Sequence, residues 1–481
     1  MELAELITGL EDARVVGDPR VDVGGLAYDS RRVGDGTLFF CVVGAAADGH
    51  DFAPVAVAAG ASALVVEREL ELPVTQVVVA DARVAMAPLA ARFWGDPTSE
   101  LRVFGVTGTN GKTTTAFLTR EVLDSASIRC GLLGTVKQVV GGVEEEVERT
   151  TPEAIDLQAT FRRMLDGGDA ACAMEVSSHA LALHRSDSIH YEVAVFTNLT
   201  QDHLDFHTDM EDYFAAKRLL FEMGPRHAVV NVDDPYGRRL AEEFDALTFS
   251  AGGRKADFSA RQVSFDSTGS RFTVAGVEIR TRLPGHFNVA NALAAFAAAS
   301  AIGIEGTEIA AALATASAPP GRFEPIDEGQ AFAVLVDYAH TPDSLDNVLA
   351  AARRLSGGRV ISVFGAGGDR DRDKRPRMGR AAAAGSDLTI VTSDNPRSEP
   401  PDSIVEEILA GMDDREGVEA EVDRRAAIAL ALSRARPGDT VVVAGKGHEQ
   451  GQEFEDGRKI PFDDREVVRE ELIRLQGAEP L

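Results

Sequence analysis

Hydrophobic positions along this chain alternate between two rhythms. Short, nearly unbroken apolar runs bounded by polar turns, such as ALVVE, TQVVVA, RVFGVTG, AACAMEV, VAVFTNL and HAVVNV, read as strands. Between them lie Ala-rich stretches, FAPVAVAAGA and ARVAMAPLAARFW among them, that read as helices. Strand and helix in alternation predict mainly parallel sheets with crossover helices, an α/β fold. Two breaks interrupt the rhythm. WGDPTSEL gathers Gly, Pro and Ser before the strand RVFGVTG, and in SAPPGRFE the residues Pro319 and Pro320 cannot continue the preceding helix. Three domains are expected: a small α/β domain over 1–98, a central P-loop-like, mainly parallel domain over 99–321, and a Rossmann-like doubly wound domain over 322–481. In the last, FAVLVDY, RVISVFGAG, DLTIVTSD and TVVVAGKG read as four buried strands.

The length of 481 residues, too great for one ordinary core, agrees with several domains. A formal net charge of −28 makes nucleic acid a poor partner, so any anionic substrate needs a local basic pocket. Cys41, Cys130 and Cys172 form no metal-ligand spacing or disulfide framework, which predicts a reducing cytoplasmic setting. No secretory segment opens the chain and no apolar run has the length of a membrane span, so no membrane partner is expected.

VFGVTGTNGKTTTAFLTREVL reads as strand, Gly-rich turn and helix. Turn amides and the helix N-terminus would cradle phosphate oxygens, Lys112 would reach the β and γ phosphates, and the Thr113 hydroxyl would face magnesium. The strict spacing places Val106 where the first glycine belongs, so the match is to a variant with Gly105, Gly108 and Gly111. In MEVSSHA, Glu175 ends a buried strand, where a carboxylate suits a metal held beside the triphosphate. In TQDHLDFH, His203 and His207 are four apart, but no glutamate follows His203 as a zinc protease requires. Ser177, Ser178 and His179 lack the nucleophile-elbow pattern of a hydrolase. Lys217, in DYFAAKRLLF, reads by composition as a solvated helix lysine. GAGGDRDRDKRPRMGR, residues 365–380, reads as a basic loop with six basic and three acidic side chains. Its Arg370 follows one strand as Arg397 of TSDNPRSEP follows another, and two such arginines on neighbouring loops would make a fork for a carboxylate.

The segments TGTNGKTT, YDSRRVGDGTLFFCVVG, RTTPEAIDLQ, MEVSSHAL, TNLTQDHLDFHTDMEDYFAAK, LPGHFNVANALAA, GRFEPID, VDYAHTPDSL, GAGGDRDRDKRP, DNPR and GKGHE, in this order, resemble the Mur ligases, ATP-dependent enzymes that build the peptide of peptidoglycan. Within that family the chain is most similar to the members that add meso-2,6-diaminopimelate to UDP-N-acetylmuramoyl-L-alanyl-D-glutamate by way of an acyl phosphate. The resemblance implies an ATP site of Gly108, Thr109, Asn110, Gly111, Lys112, Thr113, Thr114, Asn291, Arg322 and Asp337, with His340 beside Asp337 closing over the adenosine. It implies two magnesium ions held with Thr113, Glu175, His203 and Lys217, the lysine carbamylated by carbon dioxide, so that Lys112, Glu175, His203 and Lys217 carry catalysis. The UDP-linked substrate would contact Tyr28, Ser30, Ala45, Ala46, Ala47, Thr150, Thr151, Ser177 and Arg185, while at Leu183 relatives carry a polar residue. Diaminopimelate would meet Arg370, Asp394, Asn395, Pro396, Arg397, Gly445 and Glu449, with Glu449 holding the distal ammonium. A monomer using only these small molecules is expected. A lysine-adding or amidotransferase-linked relative, and a P-loop switch module that uses ATP only to change shape, are the competing readings.

Overall fold

The structure, a computed structural model, describes residues 1–10, 12–44, 47–147, 149–266 and 268–478. They form two compact units, one of residues 1–105, 127–194 and 216–226, the other of residues 106–126, 195–215 and 227–481. The fold class is α/β, as the alternating pattern predicts.

The first sheet is made from β1 (Arg14–Val16), β2 (Gly25–Ala27), β3 (Thr37–Phe40), β4 (Ala61–Val66) and β5 (Thr75–Val78), in the order β1-β5-β4-β3-β2. It is parallel from β2 to β5, and β1 adds antiparallel at one edge. Leu38, Phe40, Ala63, Val65 and Val77 pack against Ala85, Met86 and Leu89 of the helix Ala82–Phe93.

The second sheet contains β6 (Arg102–Thr107), β7 (Cys130–Leu133), β8 (Gln138–Val140), β9 (Val143–Glu145), β10 (Ala171–Glu175), β11 (Tyr191–Phe196), β12 (His227–Asn231), β13 (Ala246–Ser250) and β14 (Phe258–Ser259), in the order β14-β13-β12-β11-β6-β10-β7-β8-β9. β10 pairs parallel with β7, as β12 does with β13, whereas β8 and β9 form an antiparallel edge. A separate antiparallel sheet, β15 (Arg261–Asp266), β16 (Gly269–Val274) and β17 (Val277–Thr281), has no counterpart in the expected strands. β15 is largely exposed and polar, so it lacks the apolar run by which the buried strands are recognised.

The third sheet runs β18 (Glu324–Pro325), β19 (Ala333–Asp337), β20 (Val360–Phe364), β21 (Leu388–Val391), β22 (Val418–Ala420) and β23 (Thr440–Ala444) in the order β18-β19-β23-β20-β21-β22. The four expected strands are its parallel centre, nearly wholly buried. Apolar side chains fill both of its faces, Leu345, Leu349 and Met378 in one cluster and Ile428, Leu432 and Val468 in the other. The ends of β20, β21 and β23 therefore release their loops at one carboxyl edge, where open parallel sheets bind ligands. A last hairpin, β24 (Gly451–Glu453) with β25 (Lys459–Pro461), follows β23. No helix among the described residues is long and apolar enough to cross a membrane.

Candidate active site

β6 ends at Thr107 and the helix Lys112–Ser125 starts four residues past Gly108. Gly108 has φ +147°, and a Cβ there would lie 1.9 Å from Thr197 Oγ1. Thr109 N donates to Asn198 O at 2.9 Å, Asn110 N to Asn198 Oδ1 at 2.9 Å, and Thr197 Oγ1 to Asn110 O at 2.6 Å. Gly111 starts the helix without a side-chain cap, and a helix N-terminus after a Gly-rich turn suits an anion. Lys112 Nζ donates to the carbonyls of Gly108 at 2.9 Å and Thr109 at 2.8 Å. Val106, the departure from the strict glycine spacing, is a fully buried strand residue.

Around this loop stand Thr114, buried in the helix, and Asn291, whose Oδ1 would be 2.3 Å from a Cβ on Gly111 and whose Nδ2 donates to Asn288 Oδ1 at 3.2 Å. Arg322 Nη2 donates to Thr113 Oγ1 at 3.0 Å, and its guanidinium carbon lies 4.4 Å from the centre of the Tyr338 ring. Asp343, in the first turn of the helix Pro342–Leu355, accepts from Asn110 Nδ2 at 2.9 Å. The sequence reading missed this residue, since it is one more aspartate in a helix's first turn.

The carboxylate of Asp337, the residue expected over the adenosine, is engaged by the backbone of Phe323 and Ala339. Oδ2 accepts from Phe323 N at 2.6 Å and Oδ1 from Ala339 N at 2.7 Å. Burial pushes its carboxyl up to about 6, against the pull of Arg322 and those amides. His340 turns Nδ1 to Tyr338 O at 2.9 Å, and its Nε2 is 3.8 Å from Asp202 Oδ2. Burial works to raise Asp202, yet the charges of His203, His340 and Lys374 leave it well below the usual carboxylate range.

Glu175, at the end of β10, is 1% exposed, and its two oxygens accept from Thr135 N at 2.7 Å and Thr135 Oγ1 at 3.1 Å. Thr150 Oγ1 lies 3.0 Å from Thr135 Oγ1, and Thr151 Oγ1 donates to Glu175 O at 3.0 Å. Ser177 caps the short helix Ser178–Ala182 and lies 3.4 Å from Thr151. Arg185 pairs with Glu153 at 2.9 Å and reaches Thr151 O at 3.4 Å. Thr150 thus reaches Glu175 through Thr135, which the sequence reading did not name, whereas Thr151 reaches it directly and has Ser177 and Arg185 beside it.

Lys217 corrects its compositional reading: it is 1% exposed, because Leu220 and Phe221, three and four residues on, bury the same face of the helix Met210–Glu222. His207 precedes that helix, is buried, and stacks on Tyr213 with ring centres 4.9 Å apart. His203 adopts φ +56°, with Nε2 3.3 Å from Asp202 Oδ2. In the first sheet's unit, Tyr28 Oη donates to Asp156 Oδ2 at 2.7 Å, Ser30 opens a 3-10 turn capped by Asp29, and Ala47 O accepts from Gly44 N at 2.9 Å. Ala45 and Ala46 lie outside the described residues.

At the carboxyl edge of the third sheet, both expected arginines flank Gly367, whose Cβ would lie 3.0 Å from Arg397 Nη1 and 3.7 Å from Arg370 Cγ. They do not form an open fork. Arg397 pairs through Nε with Glu453 at 3.0 Å and donates from Nη1 to Gly368 O at 2.7 Å, whereas Arg370 Nη1 is 3.7 Å from Asp205 Oδ2. The stretch expected as a basic loop turns helical at Lys374–Gly385, and Arg375, fully buried, binds Glu399, Glu407 and Gly367 O. Pro396 O accepts from Glu399 N at 3.1 Å. Asp394 lies against Gly445, and Glu449 Oε2 accepts from Asn395 Nδ2 at 2.8 Å and Lys446 Nζ at 2.9 Å. Burial would raise Asp394, but Lys446 and Arg424 hold it below its ordinary range.

Three segments match known families: residues 22–94 the catalytic domain of the Mur ligase family, 106–299 the Mur ligase middle domain, and 321–447 the Mur ligase glutamate ligase domain. Over 485 residues the chain is 45% identical to the UDP-N-acetylmuramoyl-L-alanyl-D-glutamate--2,6-diaminopimelate ligase of Syntrophomonas wolfei, covering 98% of this chain and 99% of that one. It is a Mur ligase. The protein of the same name from Geobacillus kaustophilus is 46% identical, with 98% of this Mur ligase and 99% of the relative covered. A solved structure of a ligase so named superposes with a TM-score of 0.70 at 33% identity, covering 99% of each chain. MurF from Acinetobacter baumannii, at 20% identity and a TM-score of 0.69 over 98% of this chain and 99% of its own, shares the fold.

Proposed function

We propose that this Mur ligase joins meso-2,6-diaminopimelate to UDP-N-acetylmuramoyl-L-alanyl-D-glutamate at the expense of ATP, in peptidoglycan precursor synthesis. The likeness of 45% identity along 98% of the chain to a ligase of that name carries the reading. The uncapped phosphate loop and the three loops at one edge of the third sheet agree with it.

In this reading a carboxylate of the UDP-linked dipeptide takes the γ-phosphoryl group, ADP leaves, and the amine attacks the resulting acyl phosphate with release of phosphate. The chain contributes positioning and charge neutralisation. Lys112 swings from the Gly108 and Thr109 carbonyls to the β and γ phosphates, and Arg322 moves from Thr113 to the same anion. Thr150, Thr151, Ser177 and Arg185 hold the dipeptide beside Glu175. The Thr113 hydroxyl and Glu175 carboxylate are oxygen donors of the kind magnesium prefers, to which His203 and a carbamate on buried Lys217 would add. Among the described residues no group of three or more His, Cys, Asp or Glu could hold a metal ion. Magnesium, when bound, supplies neutralisation of the triphosphate. The domains over 1–98, 99–321 and 322–481 then serve the UDP substrate, ATP and the amino acid in turn, in a cytoplasmic monomer.

ADP release measured with the UDP-linked dipeptide and meso-diaminopimelate, lysine or no amine tests the reading. Release confined to diaminopimelate is expected. Faster release with lysine would identify a lysine-adding enzyme, and equal release without amine would identify a switch.

A further inference from the structure

Lys446 lies between Gly445 and Gly447 on the loop leaving β23 and is completely buried. A buried ammonium needs partners. Its Nζ donates to Asn395 Oδ1 at 2.8 Å and to Glu449 Oε2 at 2.9 Å, and stands 3.8 Å from Asp394 Oδ1. Asn395 Oδ1 also accepts from Glu453 N at 3.0 Å, while Asn395 Nδ2 donates to Glu449 Oε2 at 2.8 Å.

These contacts allow the Asn395 amide one orientation. Turned over, its NH2 group would face an ammonium and a backbone N–H, and its oxygen would face a carboxylate. Asn395 Nδ2 has two hydrogens and Glu449 takes one, so the other can go to an acceptor. Glu449 is constrained likewise: Oε2 receives both donors, and Oε1 is left for a cation.

We propose that Lys446 is a positioning residue that sets the pocket's preference for an amino-acid end group. It fixes Asn395 as a donor to a carboxylate and turns one oxygen of Glu449 toward an ammonium. The substrate class is a molecule whose far end carries both groups on one carbon; a terminal amine alone would satisfy only Glu449. This inference rests on the assignment of Asn395 and Glu449 to the amino-acid site.

Steady-state kinetics of Lys446→Met, Lys446→Gln, Asn395→Ala and the Lys446→Met/Asn395→Ala double variant test it. With one charge-assisted hydrogen bond at stake, Lys446→Met raises KM for diaminopimelate about tenfold and lowers its preference over lysine about as much, with KM for ATP within about twofold. Lys446→Gln, which keeps a donor to Asn395 Oδ1, retains the preference within about threefold. In the Asn395→Ala background Lys446→Met adds little, since the group it positions is gone. Equal losses for ATP and diaminopimelate, independent losses in the double variant, or a Lys446→Gln protein whose preference for diaminopimelate over lysine falls about tenfold or more would each overturn the proposal. Because Lys446→Gln is judged by itself, the test survives a Lys446→Met protein that does not fold. An Asn395→Ala enzyme with unchanged KM for diaminopimelate would remove the site assignment, whatever Lys446 does.

Discussion

Arg322 donates to the hydroxyl of Thr113 at 3.0 Å, so a cation from a distant segment occupies the helix terminus proposed for the triphosphate. The same guanidinium packs on the Tyr338 ring. In the proposed ATP site the nucleotide would take over this hydrogen bond and the arginine would follow it. Arg322→Ala should raise KM for ATP about ten- to hundredfold, as loss of one or two charged hydrogen bonds implies, and change KM for diaminopimelate little. Parallel kinetics with each substrate varied check this.

Gly108 tolerates no side chain. At φ +147°, with Thr197 Oγ1 at 1.9 Å from a Cβ, Gly108→Ala must displace the end of β11 or deform the loop. Strain of about 1–3 kcal/mol is expected. Calorimetric titration should show ATP binding lost or weakened about tenfold or more, while Gly253→Ala, on an open turn, leaves it unchanged.

Arg397, with its backbone in the left-handed region at φ +52°, donates to Gly368 O and pairs with Glu453. In the proposed diaminopimelate site a substrate carboxylate would replace Glu453 as its partner. Arg397→Ala should weaken diaminopimelate about ten- to hundredfold, with ATP little affected. Equal losses for both would overturn the assignment.

Asp337 links pH to stability. Its folded carboxyl titrates at about 6, above its ordinary 3.8, because burial disfavours the anion. Between these values the unfolded chain has released this proton and the folded chain keeps it, so this residue's contribution to stability falls as pH rises from about 4 to 6 and is then constant. Asp337→Asn should remove that part of the slope, about 1 kcal/mol between pH 5 and 7, seen in urea midpoints of the two proteins.

Burial of Lys217 makes a carbamate test specific. Removal of carbon dioxide should lower the rate, and its return should restore both rate and adduct mass. An unchanged rate and mass would rule the modification out.

The sequence exposed the strands of the third sheet because buried parallel strands are apolar on both faces, and it exposed the phosphate loop because its glycines, lysine and threonine are contiguous. It did not expose β15, whose exposed polar strand has no such run, nor the burial of Lys217, which depends on what the helix packs against. Arg375 was lost in a basic stretch; only folding separates it from solvated neighbours by bringing Glu399 and Glu407 to it. Asp343 and Lys446 were invisible as functional residues because their partners, Asn110 and Asn395, are remote in the chain.

By itself the sequence determined the family, the α/β class, the phosphate loop and the residues offered at each strand end, because these depend on local order and spacing. Tertiary structure decided which offered groups are already engaged: Arg397 by Glu453, Asp337 by the amides of Phe323 and Ala339, Glu449 by Lys446. The physical reason is that a charge acquires its role from the partners brought within a few ångströms, and most of those partners come from distant parts of the chain.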